Sequence, residues 1–188
     1  RTSPRFAEQK RVNNQRALNI DSVYEGKKFN DKVCLVTGSN RGLGKAICEE
    51  LVAQGARVIA TCRKSEPKIE GLYKVIKGID VMDNKSMEKL VKEIGEDSVD
   101  VVVNNAGYFM VDPETIEGNK CDFSEELKMI DICAVGPLRV TSALFNGKKL
   151  SKGAKIAMIT SQGGSITWRA VQNCGGPYDY GHHMSKAA

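Results

Sequence analysis

Apolar and polar positions along the chain follow two periods, one typical of buried strands and one typical of amphipathic helices. Short apolar runs rich in β-branched residues predict strands at 33–36, 56–63, 72–80, 99–107 (running into a turn) and 155–160. Apolar residues at helical spacing predict helices at 43–54, 84–95, 124–145 and 181–188. Because strand and helix alternate, the sequence predicts an α/β fold with a doubly wound parallel sheet and helices on both faces. A ligand should then bind at the carboxyl ends of the strands.

A glycine-rich turn joins the first strand to the first helix. Residues 32–44 read KVCLVTGSNRGLG, so that Gly38, Gly42 and Gly44 follow the strand directly. Glycines let an anionic ligand approach the backbone, and the helix N-terminus supplies amides and positive dipole charge. An ordinary tight turn is the alternative. The flanking strand and helix favour nucleotide binding, and hence a Rossmann-type sheet.

Length and composition fit a globular protein with one main domain. The chain has 188 residues, 41% hydrophobic and 27% charged. We divide it into a basic N-terminal extension (1–30) and a dinucleotide-binding domain (31–188). Seven of the first 28 residues are Lys or Arg and three are acidic, so most of the net charge of +5 lies there. The extension is a solvated terminus, the remnant of an organellar targeting region, or an arm that docks on a partner. Nucleic-acid binding ranks last.

The cysteines predict a compartment rather than a metal site. None of the six follows metal-ligand spacing, and a buried thiol is the simplest interpretation of those inside strands and helices. They are Cys34, Cys48, Cys62, Cys121, Cys133 and Cys174. A reducing intracellular compartment fits best, with an organelle matrix or stroma as one location. No run has the ~20 apolar residues of a membrane span.

Three motifs in the same order identify a family. TGSNRGLG at 37–44, NNAG at 104–107 and MSKAA at 184–188 resemble the short-chain dehydrogenase/reductase superfamily. ICAVGPLRV at 132–140, SQGGSI after the fifth predicted strand and the ending GGPYDYGHHMSKAA look most like its C-factor and sniffer-type carbonyl reductases. The resemblance covers about 31–188. Since family members continue beyond this point, it implies a domain incomplete at its C-terminus, truncated after the fifth strand and the start of the following helix.

The resemblance implies an NADP(H) site. The glycines would hold the pyrophosphate, Asp80 would contact the adenine, and the turn at 104–107 would stabilise the sheet and touch the adenosine. At the end of the second strand Cys62 replaces the acid of NAD-binding members and Arg63 follows it, which favours a 2′-phosphate. The implied cofactor residues are Gly38, Asn40, Arg41, Gly42, Leu43, Gly44, Arg63, Asp80, Asn104, Ala106, Gly107 and Lys186.

The implied catalytic site is degenerate. The family uses Ser, Tyr and Lys with a supporting Asn, and the Tyr lies four residues before the Lys. Here Ser161 and Lys186 match, but His182 stands where the Tyr belongs. Cys133 occupies the Asn position. His182 is one candidate proton donor, and Tyr180 is another if the helix shifts its register.

Two functions follow from these departures. The first is an NADP(H)-binding, weakly active or inactive accessory or structural subunit. A partner protein would dock the basic arm and the open C-terminal side of the sheet, or the chain would form a homo-oligomer. The alternative is an active NADPH-dependent carbonyl reductase that uses His182 or Tyr180 as proton donor. The lost Tyr and Asn favour the first.

Overall fold

The computed structural model describes residues 29–109, 115–118, 120–165 and 180–188. Within them, the strands are β1 (Val33–Val36), β2 (Arg57–Cys62), β3 (Lys74–Lys77), β4 (Val99–Asn104) and β5 (Leu150–Met158). The helices are α1 (Gly42–Ala53), α2 (Asn84–Ile94), α3 (Phe123–Ile130), α4 (Gly136–Asn146) and α5 (Tyr180–Ala187). The five strands form one parallel sheet in the order β3-β2-β1-β4-β5. This confirms the predicted Rossmann-type architecture.

Two apolar clusters cover the sheet, one on each face. Successive residues of β2 belong to different clusters: Ile59 packs with Leu90 of α2 and Leu144 of α4, whereas Val58 packs with Cys48 of α1. All five side chains are fully buried. Neighbouring strand residues point to opposite faces, so a strand buried on both faces has to be apolar throughout. Because the strands are parallel, the carboxyl ends of β1, β2, β3 and β4 lie at the same end of the sheet.

The long helix predicted at 124–145 is interrupted. A π-helical turn, Asp131–Val135, separates α3 from α4. The Arg139 guanidinium spans it, 2.7 Å from the Asp131 carboxylate and donating to the Val81 carbonyl at 3.2 Å. The apolar pattern did not predict this π-helical turn, because over so short a stretch it does not distinguish the hydrogen bonds of an α-helix from the i→i+5 bonds of a π-helix. The π-helical turn contains Ile132 and Cys133, and the Cys133 thiol contacts the backbone of Tyr108 in the segment after β4.

Other element limits also differ. β5 begins at Leu150 rather than 155, and its pairing with β4 changes register between Val99 and Val101. β3 is shorter than predicted. Leu43, the first residue of the helix predicted at 43–54, is 57% exposed, because the helix buries Gly44, Cys48 and Leu51. Among the described residues, no helix has the length and apolarity to cross a membrane. The predicted extension (1–30) lies outside these residues except for its last two.

The Asp100 carboxylate joins β1 to β4 and β5. Burial alone would raise its pKa, but hydrogen bonds from the Val33 amide (3.0 Å) and the Ser151 hydroxyl (2.9 Å) leave it lowered. Because the pKa of Asp100 is lower in the folded than in the unfolded protein, its carboxylate stabilises the fold at pH values above the unfolded pKa of about 3.9. This stabilisation is lost as the pH falls through the folded-state pKa. We therefore expect Asp100→Asn to lower the melting temperature at pH 7 and much less at pH 3, measured by circular dichroism. Equal losses at both pH values would contradict this account.

Candidate cofactor and active site

A cleft of about 610 Å³ lies where the carboxyl ends of β1, β2, β3 and β4 meet. The turn after β1, with the first residues of α1, forms its floor. Residues after β2 and β3 form one side, and the turn after β4 with Ile132 forms the other. This is the position predicted for a ligand of a doubly wound sheet.

The turns after β1 and β4 are held together by hydrogen bonds. The Thr37 hydroxyl oxygen accepts from the amides of Asn105 (3.0 Å) and Ala106 (2.9 Å). The Asn105 side-chain amide donates to the Thr37 carbonyl at 2.9 Å. An added Cβ at Gly38, whose φ is +67°, would lie 2.9 Å from the Ala106 Cα, and one at Gly44 would overlap the Gly38 carbonyl and the Asn105 amide. The glycines thus permit a backbone approach that no side chain would allow.

Positive charge dominates the side of the cleft beyond β2. Three cations line it, together with one carboxylate, that of Asp80: they are Arg41, Arg63 and Lys64. The Arg63 guanidinium lies 3.6 Å from one Asp80 oxygen, while the other accepts from the Met82 amide at 3.0 Å. Cys62 closes the end of β2, and burial raises the pKa of its thiol, so that it stays protonated and neutral. The side that would meet a ribose 2′-substituent therefore has no acid at the end of β2.

Tyr108 forms part of the opposite side. Its hydroxyl donates to the Glu125 carboxylate at 2.5 Å, and that bond raises the pKa of Tyr108. Lys128 donates to Glu125 at 2.8 Å and lies 4.5 Å from the centre of the Tyr108 ring. The Cys133 thiol contacts the backbone of Tyr108, accepting from its amide at 3.4 Å. Cys133, at the position where the family resemblance expects Asn, thus fixes this turn to the π-helical segment.

Ser161 and Lys186 are engaged with nearby backbone. The Ser161 hydroxyl accepts from the Gly163 amide at 3.1 Å and so caps the short 3₁₀ turn Gln162–Gly164. The Lys186 ammonium donates to the Ile159 carbonyl at 2.8 Å. Neither residue lines the cleft. Both lie beyond β5, on the other side of β4 from the Arg63 end.

The two histidines of α5 have different neighbours. The His182 ring meets the Phe109 ring edge-on, with centroids 5.0 Å apart. The His183 ring instead lies against Gly163, where an added Cβ would come within 3.2 Å of His183 Nε2 and 3.5 Å of Ser161 Oγ. The imidazole beside the Ser161 turn is therefore that of His183, which the sequence did not single out. Tyr180 is the first residue of α5, six residues before Lys186.

The structure brings most of the predicted cofactor residues into the cleft and leaves others outside it. Lining the cleft are Gly38, Asn40, Arg41, Gly42, Leu43, Gly44, Arg63, Asp80, Ala106 and Gly107. Asn104 does not line it: this side chain is buried and donates to Thr141 and Met158. Ser161, His182 and Lys186 lie outside as well. Tyr108 and Ile132 were missed, although Tyr108 directly follows the NNAG motif.

Comparison with known proteins places the chain in a family. The profile of the short chain dehydrogenase family matches residues 32–173. The chain is 31% identical over 157 residues to 1-hydroxy-2-glutathionyl-2-methyl-3-butene dehydrogenase of Rhodococcus sp. (strain AD45), covering 82% of this chain and 65% of that protein. It is 32% identical over 146 residues to galactitol 2-dehydrogenase of Agrobacterium fabrum, covering 73% of this chain and 55% of that one.

Solved structures show the same fold. Ligand-free aldohexose dehydrogenase from Thermoplasma acidophilum superimposes with a TM-score of 0.70 at 26% identity, covering 87% of this chain and 59% of that one. NADPH-bound carbonyl reductase from chicken fatty liver superimposes with a TM-score of 0.69 at 24% identity, covering 86% and 68%. The chain spans about half to two thirds of the length of the curated relatives it matches. On its motifs, its sheet and these matches, the chain belongs to the short-chain dehydrogenase/reductase family.

Proposed function

We propose that the protein binds NADP(H) in this cleft and that its reductase activity is weak or absent, leaving it an accessory or structural role. The observation that carries the proposal is the cleft itself, which brings the glycines of the turn after β1 together with Arg41, Arg63 and Lys64. Gly38, Gly42 and Gly44 would hold the pyrophosphate, and Arg41, Arg63 and Lys64 the 2′-phosphate. Two superimposable structures of this fold, from Burkholderia multivorans and chicken, carry NADP or NADPH.

Weak chemistry is inferred from the groups near Lys186. When bound, a reduced nicotinamide supplies a hydride, and the protein has to supply a proton at the carbonyl oxygen. His182, one helical turn before Lys186, packs its ring on Phe109. Ser161 and Lys186 are each hydrogen-bonded to backbone. These contacts support a site that holds a cofactor without an efficient proton donor.

The primary test is calorimetric titration with NADPH and NADH, followed by a screen of small carbonyl substrates. We expect NADPH to bind at least about tenfold more tightly than NADH, since charge-assisted bonds to the 2′-phosphate are each worth 1.4 kcal/mol or more. We also expect little turnover. Failure to bind either nucleotide would overturn the proposed function, whereas rapid turnover would overturn only its non-catalytic part.

Rebuilding the family's proton donor is expected to restore activity. The double variant His182→Tyr with Cys133→Asn should raise the rate of carbonyl reduction by about 100-fold or more, the usual contribution of a positioned general acid. His182→Phe with Cys133→Asn is the matched control, because it differs only in the phenolic hydroxyl. Steady-state NADPH oxidation measures both. Equal rates in the two variants would show that position 182 does not deliver the proton.

An active reductase remains the second candidate, favoured by the position of His183. Its Nε2 and the Ser161 hydroxyl flank the same point beside Gly163. The imidazole side chain is a common general acid and base in enzymes. If the wild-type protein turns over a carbonyl, His183→Ala should abolish the activity and His182→Ala should not, which would identify the donor.

We also propose self-association through the outer face of α3 and α4. Four large apolar side chains are exposed along these helices, each more than 60%: Phe123, Leu127, Leu138 and Phe145. Exposed apolar surface of this kind is typical of an interface. We expect Leu127→Glu with Leu138→Glu to convert an oligomer to a monomer in light scattering. Ile116→Glu, an apolar site outside these helices that is 74% exposed, is the control. A monomeric wild-type protein would contradict the proposal.

The proposed setting is a reducing compartment, with an organelle matrix or stroma as one location. Among the described residues, Cys34, Cys48, Cys62 and Cys133 are free thiols, and burial raises the pKa of Cys34 to about 11. The basic extension would dock on a protein partner. Cell fractionation tests the compartment. Partner capture with and without residues 1–30 tests the docking of the extension.

A further inference from the structure

Tyr108 is the one aromatic side chain among the described residues that line the cleft. It follows the turn after β4 and packs against the apolar cluster that contains Ile79, Val81 and Ile132. These residues also line the cleft. A flat apolar wall inside an otherwise polar, cationic cleft is a surface suited to an aromatic ring system.

The Tyr108 side chain is held at both ends. Its hydroxyl donates to Glu125, which is itself fixed by Lys128, and the Cys133 thiol contacts its backbone. Lys128 covers one face of the ring from 4.5 Å. A ligand ring can therefore pack only on the other face or against the ring edge. A side chain fixed in this way loses little conformational entropy when a ligand binds.

The neighbours of Tyr108 indicate which part of a dinucleotide it would meet. Arg63 and Asp80 line the same cleft and lie 3.6 Å apart at its polar rim. Ser161 and Lys186, at the reacting end, line no part of it. Val81, which directly follows Asp80, belongs to the apolar cluster on which Tyr108 packs, so the apolar wall adjoins the carboxylate suited to a purine amine. It is not shared with the groups suited to a carbonyl substrate.

We propose that Tyr108, positioned by Glu125 and Lys128, is a specificity-determining residue that packs on the purine ring of the cofactor's adenosine half. This deepens the proposed function and rests on it. Arg63 would bind the 2′-phosphate, and Tyr108 would pack on the base. Glu125 and Lys128 act through Tyr108 as positioning residues.

The test separates the two halves of the cofactor. Adenosine 2′,5′-bisphosphate and reduced nicotinamide mononucleotide are titrated calorimetrically into the wild-type protein and its variants. Tyr108→Leu is expected to weaken binding of the bisphosphate by about tenfold, the usual loss of one aromatic stacking contact. Binding of the mononucleotide should be unchanged. Tyr108→Phe, which keeps the ring but removes the hydrogen bond by which Glu125 positions it, should bind the bisphosphate about threefold more weakly than wild type, between wild type and Tyr108→Leu. Phe109→Leu, the neighbouring aromatic that does not line the cleft, is the matched control.

The outcomes distinguish this inference from the proposed function. If wild-type protein binds NADPH and Tyr108→Leu binds the bisphosphate equally well, the inference is wrong and the function stands. If wild-type protein binds neither probe nor NADPH, the function itself fails. A purely structural role would weaken both probes together. Should Tyr108→Leu not fold, Tyr108→Trp in a Trp168→Phe background replaces it, since no other Trp is then present. Saturable quenching of its fluorescence by the bisphosphate is expected, and its absence overturns the inference.

Discussion

Gly44→Ala is expected to abolish NADPH binding and to destabilise the fold. The new methyl group would overlap the Gly38 carbonyl oxygen and the Asn105 side-chain amide, which are backbone and hydrogen-bonded groups rather than flexible chain ends. Forcing them apart breaks the link between the turns after β1 and β4. Overpacking of this kind costs about 3 kcal/mol. In a domain of this size that lowers the melting temperature by about 10 °C.

Gly107→Ala is the matched control for the stability measurement. Its added Cβ would meet only the Asn105 carbonyl oxygen at 3.6 Å and the Cys133 sulfur at 3.7 Å, both ordinary contacts. We therefore expect its melting temperature to change by less than about 2 °C. Differential scanning calorimetry and NADPH titration check both variants. A Gly44→Ala protein with normal stability and normal binding would show that the two turns tolerate separation.

The sheet was predictable because its signals are local. The run from Val33 to Val36 is apolar at every position, and a strand buried on both faces needs that composition. The start of α2 also depends on a local bond, because the side chain of Asp83 accepts from the amides of Lys85 and Ser86, as only certain residue types can. The π-helical turn was not predictable, since it depends on Arg139 reaching both Asp131 and Val81. Contacts between distant segments leave no period in the sequence.

The candidate site likewise has features that the sequence predicted and features that it did not. The sequence predicted that Gly38, Gly44 and Arg63 lie at this cleft because backbone space and charge at the ends of strands are local features, and their binding roles stay predictions. His182 was selected by its spacing from Lys186, and whether it delivers a proton stays a prediction. Spacing places a residue on a helix face but does not choose between two neighbouring imidazoles. Only the packing of α5 on Gly163 brought His183 to the Ser161 turn.

The residues proposed to bind the adenosine half and those proposed to take part in the reaction lie on opposite sides of β4. The cleft that includes Arg63 is built by β1, β2, β3 and β4, whose turns are joined by Thr37 and Asn105. Ser161 and Lys186 depend instead on β5, whose later residues Ile156 and Met158 are exposed at the sheet edge. Substitutions at the adenosine end should therefore change nucleotide affinity without changing the environment of Ser161. This separation makes a charge substitution at Arg63 informative.

Arg63→Asp is expected to weaken NADPH binding by about 100-fold and to change NADH binding by less than about threefold. The guanidinium is 57% exposed and lies beside Asp80, so its replacement removes an ion pair of little value to stability. Toward a 2′-phosphate the change removes a charge-assisted bond and adds repulsion, together worth about 3 kcal/mol. NADH has no 2′-phosphate for the new carboxylate to repel, and the acid of NAD-binding folds belongs one residue earlier, at Cys62, so the affinity for NADH should change little.

Lys68→Asp is the control for the Arg63 substitution. Lys68 is an exposed cation on the loop after β2 that does not line the cleft, so the same change in net charge occurs outside the site. Long-range electrostatics alone should alter NADPH affinity by less than about threefold at physiological salt, where the Debye length is about 8 Å. Titrations at two salt concentrations check this. If both variants lose affinity equally, general positive charge attracts the cofactor. If neither does, Arg63 does not contact the 2′-phosphate, and preference for NADPH has to come from Arg41 or Lys64 on the same side of the cleft.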